Sequence, residues 1–132
     1  MHKIIQHIFQ GKKPNLPKLV LNSFQNIFGT STNVEWHHEK DQYEAVFYIS
    51  NMEHIAIFSP DGKLLEKKCN LELHKVTHPV SEQARAVGEL MNLIEIHRDG
   101  KIFYEIIARD SHLDRYSLLM EENGTLLEKK KL

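Results

Sequence analysis

Six ionisable side chains recur in matched positions along the 132-residue chain: Glu35 with His37 and then Glu44, followed later by Glu95 with His97 and then Glu105. A carboxylate beside an imidazole is the raw material of general acid–base catalysis, provided that a dry, concave pocket moves both pKa values toward the working pH. Read as strands, these segments project all six groups from one sheet face, where they form a rim of charge and no pocket. The expectation is therefore a non-enzymatic protein with no catalytic residue. A small-ligand or metal-binding protein, or an enzyme working from that His/Glu rim, is the alternative class. A second constellation, Cys69, His74 and His78, has two histidines four residues apart, a spacing that suits zinc on a helix. It falls in a connector just before Pro79, which argues against helix there, so the blander reading is solvated histidines and a cysteine packed as a small hydrophobe. No metal and no cofactor is expected, because the chain has no nucleophile elbow, phosphate-cradling glycine loop or paired-cysteine motif. His37 and His38 point to opposite faces of a strand and cannot chelate together.

Composition narrows the partner. With 17 Lys plus Arg against 18 Asp plus Glu the formal charge is −1, and no long basic block exists. Nucleic acid is excluded as the main ligand, since binding to a phosphate backbone depends on clustered cations. The single cysteine makes no internal disulfide, so folding does not depend on an oxidising compartment. The first residues, Met1 to Pro14, contain Gln6, His7 and Gln10 and offer no unbroken apolar stretch of signal-sequence length. No segment approaches a membrane span. Read alone, these features predict a cytoplasmic location. Ile4, Ile5, Ile8 and Phe9 share one face of a short helix that docks on the protein body or on lipid.

The elements that position these groups come from an internal duplication. Asp61-Gly-Lys-Leu-Leu-Glu-Lys-Lys68 and Asn123-Gly-Thr-Leu-Leu-Glu-Lys-Lys130 match at six of eight positions. Upstream, Tyr43-Glu44 recurs as Tyr104-Glu105, Pro17 as Pro79, and Val34-Glu-Trp-His37 as Ile94-Glu-Ile-His97. Each copy opens with helical periodicity. Val20, Leu21, Phe24, Ile27 and Phe28 form the first stripe after Pro17, with Gly29 at its end; Val80, Ala84, Val87 and Met91 form the second after Pro79. Four alternating segments follow each helix, separated by hairpin signals such as Ser50-Asn51, Asp61-Gly62, Asp99-Gly100 and Asn123-Gly124. The predicted class is α+β: an amino-terminal arm (1–15), a first α-ββββ unit (16–70), a connector (71–78) and a second α-ββββ unit (79–132). Together they give an antiparallel sheet of about eight strands with helices on one face.

The duplication also sets the phase. Matching Val34 and Trp36 to Ile94 and Ile96, and Tyr43, Ala45 and Phe47 to Tyr104, Ile106 and Ala108, turns those residues toward the helices. The opposite face then carries Val46, Tyr48, Ile55, Ile57, Phe103, Ile107 and Leu119, with Glu35, His37, Glu95, His97 and Arg109 around them. An uncovered sheet face is normally polar, so an apolar centre with a charged rim predicts an interface, either with a protein partner or with a second copy of the chain, unless the arm covers it.

The order Phe24-x3-Phe28, Val34-x-Trp36, Tyr43-Glu-Ala45-x-Phe47, Ala56-x-Phe58, Asp61-Gly62-Lys-Leu, followed by a second helix and a second such cycle, resembles the PepSY-like proteins, also described as beta-lactamase-inhibitor-like. The resemblance runs from about residue 16 to the end. It implies two tandem helix-plus-meander units and a sheet face used for protein contact without catalysis. It also favours a periplasmic or secreted protein over a cytoplasmic one.

Overall fold

The computed structural model describes residues 15–30 and 33–132. Helix α1 (Lys18–Phe28) begins where the carbonyl of Pro17 accepts the amides of Val20 and Leu21, both at 3.1 Å. It ends at Gly29, whose φ of +83° lets its amide turn back to Gln25 O at 2.9 Å. Four strands follow: β1 (Glu35–Glu39), β2 (Gln42–Ile49), β3 (Met52–Phe58) and β4 (Leu64–Leu71). A 3-10 turn over Leu73–Lys75 leads to α2 (His78–Arg85), then β5 (Glu89–Arg98), β6 (Lys101–Arg109), β7 (Arg115–Glu121) and β8 (Leu126–Lys131). The eight strands are hydrogen-bonded in chain order, in an antiparallel sheet. Two compact units divide at Lys68 and Cys69.

In the first unit α1 buries Val20 and Phe24 against Tyr43, Ala45, Phe47, Ala56 and Phe58. The Phe24 ring lies 4.9 Å from Phe47, 5.2 Å from Phe28 and 5.3 Å from Trp36, so the core is an aromatic cluster around one side chain. In the second unit α2 buries Val80 and Ala84 against Leu90, Leu93, Tyr104, Ile106, Ala108, Leu118 and Met120. This helix is shorter than its sequence stripe. It stops at Arg85, Val87 lies in the following turn, and Met91 belongs to β5. Beyond the turn the chain passes close to β6 at Gly88, where a Cβ would lie 2.2 Å from the carbonyl oxygen of Arg109, so that only glycine fits there.

His54 sits on the helix-facing side of β3, stacked on Phe47 at 5.5 Å between centroids. Burial first, and the charge of Lys67 second, hold its imidazole below the usual histidine range. The neutral ring is therefore favoured in the folded chain. Its stabilising effect is complete above the unfolded value of about 6.5 and disappears as pH falls through the lower folded value. Urea midpoints measured from pH 7.5 down to 5 are expected to decline, and His54→Phe is expected to flatten part of that decline.

Candidate functional site

On the sheet face away from α1, the first unit pairs Glu35 with Val46, His37 with Glu44, Glu44 with Ile57, Val46 with Ile55 and Tyr48 with Glu53. These strand positions share a face because side chains alternate along each strand. The face was expected to be open at its apolar centre, and it is not. Val46, Ile55 and Ile57 are 4%, 3% and 7% exposed, and Glu44 and Glu53 are buried beside them. Tyr48 remains half-buried and donates its hydroxyl to Glu53 Oε2 at 2.9 Å. Desolvation, reinforced by that carboxylate, raises the Tyr48 pKa. The imidazole of His37 lies 3.2 Å from Glu35 Oε1, a cross-rim pair and not a proton relay to a pocket.

In the second unit the phase differs from the expected one. Leu93 pairs with Ile106, Ile94 with Glu105, Glu95 with Tyr104, Ile96 with Phe103 and His97 with Ile102. Tyr104 and Ile106 belong to the core under α2, which puts Glu95 and His97 on the helix-facing side. The expectation that these two lie on the opposite face is corrected, and Ile94 and Ile96 take their place there. His97 Nε2 meets Glu95 Oε1 at 2.7 Å, and Tyr104 donates its hydroxyl to Glu95 Oε2 at 3.4 Å. Burial, followed by the Glu95 charge, raises the Tyr104 pKa.

The cause is hairpin length. Tyr43 faces His38 across the first hairpin, five residues back, while Tyr104 faces Glu95, nine residues back. The structural counterpart of Trp36 is thus Leu93 and not Ile96. A three-residue error is odd, so it turns every side chain of β5 over. A register shift between Leu90 and Asn92 adds a bulge near the start of the same strand.

The face of the second unit away from α2 therefore presents Ile94, Ile96, Phe103, Glu105, Ile107, Arg109 and Leu119. Ile94 and Ile96 are buried, whereas Phe103, Ile107 and Leu119 are half-exposed. Arg98 holds its guanidinium 5.8 Å above the Phe103 ring, and Arg109 bonds Glu89 at 3.0 Å. At the end of the β5–β6 hairpin Phe103 also edges a cleft of about 500 Å³ lined by Gly100, Lys101, Ile102, Glu121, Glu122 and Asn123. Sequence reading missed Ile94, Ile96 and Arg98. Their alternation was visible, but their face depends on pairing.

The connector residues do not converge. Cys69 is buried, with its Sγ 3.7 Å from Asn70 O, while His74 pairs with Glu72 at 3.1 Å and His78 with Glu82 at 3.6 Å on the surface. Among the described residues no group of three potential ligands is placed to hold a metal ion. Among them, too, no helix is long and apolar enough to cross a membrane.

No family model matches the chain. No curated protein matches it either. Solved structures do. A candidate periplasmic protein from Bacteroides eggerthii superposes with a TM-score of 0.79 at 18% identity, covering 89% of this chain and 90% of that one. A DUF2874 family protein from Bacteroides uniformis gives 0.77 at 15% identity, over 87% and 88%. A BLIP-like protein from Bacteroides fragilis gives 0.74 at 12% identity, over 90% and 88%. The fold expected from the residue order is the fold found, and it is similar to that of the BLIP-like protein and of the DUF2874 family protein.

Proposed function

From this fold we propose that the protein is a non-catalytic binding module whose contact surface is the face of the second unit away from α2. The observation that carries the reading is the half-exposed strip of Phe103, Ile107 and Leu119, bordered by Glu105, Arg98 and Arg109. An apolar aromatic centre inside a charged border is the anatomy of an interface core and rim. Phe103 beside a cleft supplies an anchor and a recess for a partner's side chain. The partner class is protein, either foreign or a second copy. The candidate periplasmic neighbour favours an exported location over the cytoplasmic one expected from composition.

The test is a paired one. Phe103→Ser with Ile107→Ser should weaken association by about 30-fold or more, as expected for an interface anchor worth about 2 kcal/mol. The change would be read by light scattering for self-association and by retention of a periplasmic protein on the immobilised chain. Trp36 fluorescence, reporting the first unit's core, should stay native. Equal association by both proteins, or none by either, removes this reading. Metals and small carboxylic acids that raised the melting temperature would instead favour the ligand-binding or enzymatic alternative.

A further inference from the structure

We propose that the β6–β7 turn holds Leu113 as a preformed anchor through which two copies of this chain associate. The contact lies at one end of the second unit and does not depend on the outer face described above as a partner surface.

The first argument is a backbone conformation that occurs three times. In the turn between β3 and β4 the Ser59 amide donates to Lys63 O at 2.9 Å and the Gly62 amide to Ser59 O at 3.0 Å. Between β7 and β8 the same two bonds run from Glu121 to Thr125 O and from Gly124 to Glu121 O, at the same distances. Between β6 and β7 they run from Asp110 to Asp114 O and from Leu113 to Asp110 O, again at 2.9 and 3.0 Å. This is the three-residue hairpin loop whose last residue takes a left-handed conformation. Glycine fills that position twice, at φ of +89° and +92°, but in the third turn it is Leu113, at +67°. A bulky residue is rare in that region, because its Cβ crowds the backbone.

Exposure is the second. Leu113 is 70% exposed, so burial does not compensate for the strain. An exposed leucine by itself is ordinary. One held where the two sister turns use glycine lowers the stability of the monomer and gains no packing within it. Strain of this kind persists where the surrounding structure enforces it, and it concentrates at functional contacts. Asp110 enforces it here: its Oδ1 accepts the amides of His112 and Asp114 at 2.9 and 3.0 Å, which ties the turn together. An anchor already held in shape loses little freedom on binding.

A second copy fits this end for two reasons. In a two-fold contact each copy supplies both the anchor and the surface that receives it. Among the described residues the same end of the unit exposes Met91, the extra residue of the bulge near the Glu89–Arg109 pair, and its unbranched thioether side chain can adapt to an incoming leucine. The arm expected to carry Ile4, Ile5, Ile8 and Phe9 lies outside the described residues. Charge agrees. The turn and the adjoining strand ends carry Glu89, Asp110 and Asp114 against Arg109, Arg115 and Lys131. Balanced signs let this end meet its own duplicate without net repulsion, whereas a phosphate-rich partner would select a basic surface. One turn and two apolar side chains make a contact below the standard interface size, so a dissociation constant of roughly 10 μM to 1 mM is expected.

Sedimentation equilibrium of the full chain across that range should show monomer and dimer. Leu113→Gly and Leu113→Asn, both suited to a left-handed turn, should each weaken the dimer at least tenfold. Their melting temperatures, measured where every protein is monomeric, should equal or exceed that of the unaltered chain, which a residue kept for folding would not allow. A monomer mass at all concentrations overturns the proposal, as does a dimer equally strong in both variants or a fall in both melting temperatures. Loss of the dimer with Phe103→Ser but not with Leu113→Gly also overturns it, while leaving the outer-face reading in place. The reverse result supports it and assigns self-association to the turn.

Discussion

Replacing Phe24 with alanine is expected to destabilise the first unit by about 3–5 kcal/mol, the range for emptying a large buried aromatic site. The ring is 2% exposed and touches Phe28, Trp36, Phe47 and Phe58, the last at 6.4 Å between centroids. Neighbours that already pack edge-on cannot collapse into the space without leaving their rotamers, so the loss contains both transfer and cavity components. The effect falls on the element that holds β2 and β3 in place. Urea unfolding followed by Trp36 emission should show a lowered midpoint. A shift of less than 1 kcal/mol would mean that α1 contributes little to the unit.

Gly62→Ala and Gly124→Ala should be comparably severe, for a reason that the two units share. Both glycines have positive φ, +89° and +92°, which alone costs roughly 1–2 kcal/mol for a residue with a Cβ. Both also sit against the first turn of their own helix. A Cβ at Gly62 would lie 2.6 Å from Leu19 O and 2.8 Å from Ser23 Oγ; at Gly124 it would lie 2.6 Å from Pro79 O. Backbone oxygens cannot swing aside as a flexible side chain would, so the turn or the helix has to move. Gly100 is the internal control. Its φ is +72° and nothing lies within 4 Å of the added Cβ, so Gly100→Ala should show the conformational cost alone. Thermal unfolding of the three variants should separate Gly62 and Gly124 from Gly100 by at least 1 kcal/mol. Equal losses would show that the helix–turn contact is not tight.

The repeated Asp/Asn-Gly turn thus has two layers of meaning. Its hairpin role is readable from residue types, because a left-handed turn selects Asn, Asp and Gly. Its docking against Leu19 and Pro79 is a tertiary relation that no local rule predicts. The candidate site divides the same way. Alternation alone assigns Phe103, Ile107 and Leu119 to the outer face, and the strand pairing agrees. Val46, Ile55 and Ile57 were also placed on that face, yet their burial removes them from any exposed contact surface.

What the amino-acid order determined by itself was therefore local and periodic. It specified the two helix-plus-meander units, their turns, the aromatic stripe of α1 and the amphipathic character of each strand, because hydrophobic period and turn chemistry act within a few residues. Which side of β5 meets α2 was decided only in three dimensions. Glu95 and His97 went inward, and Ile94 and Ile96 outward, because a hairpin nine residues deep at Tyr104 replaced one five residues deep at Tyr43. Alternation carries no information about absolute register: a strand displaced by an odd number of residues keeps its pattern and exchanges its faces.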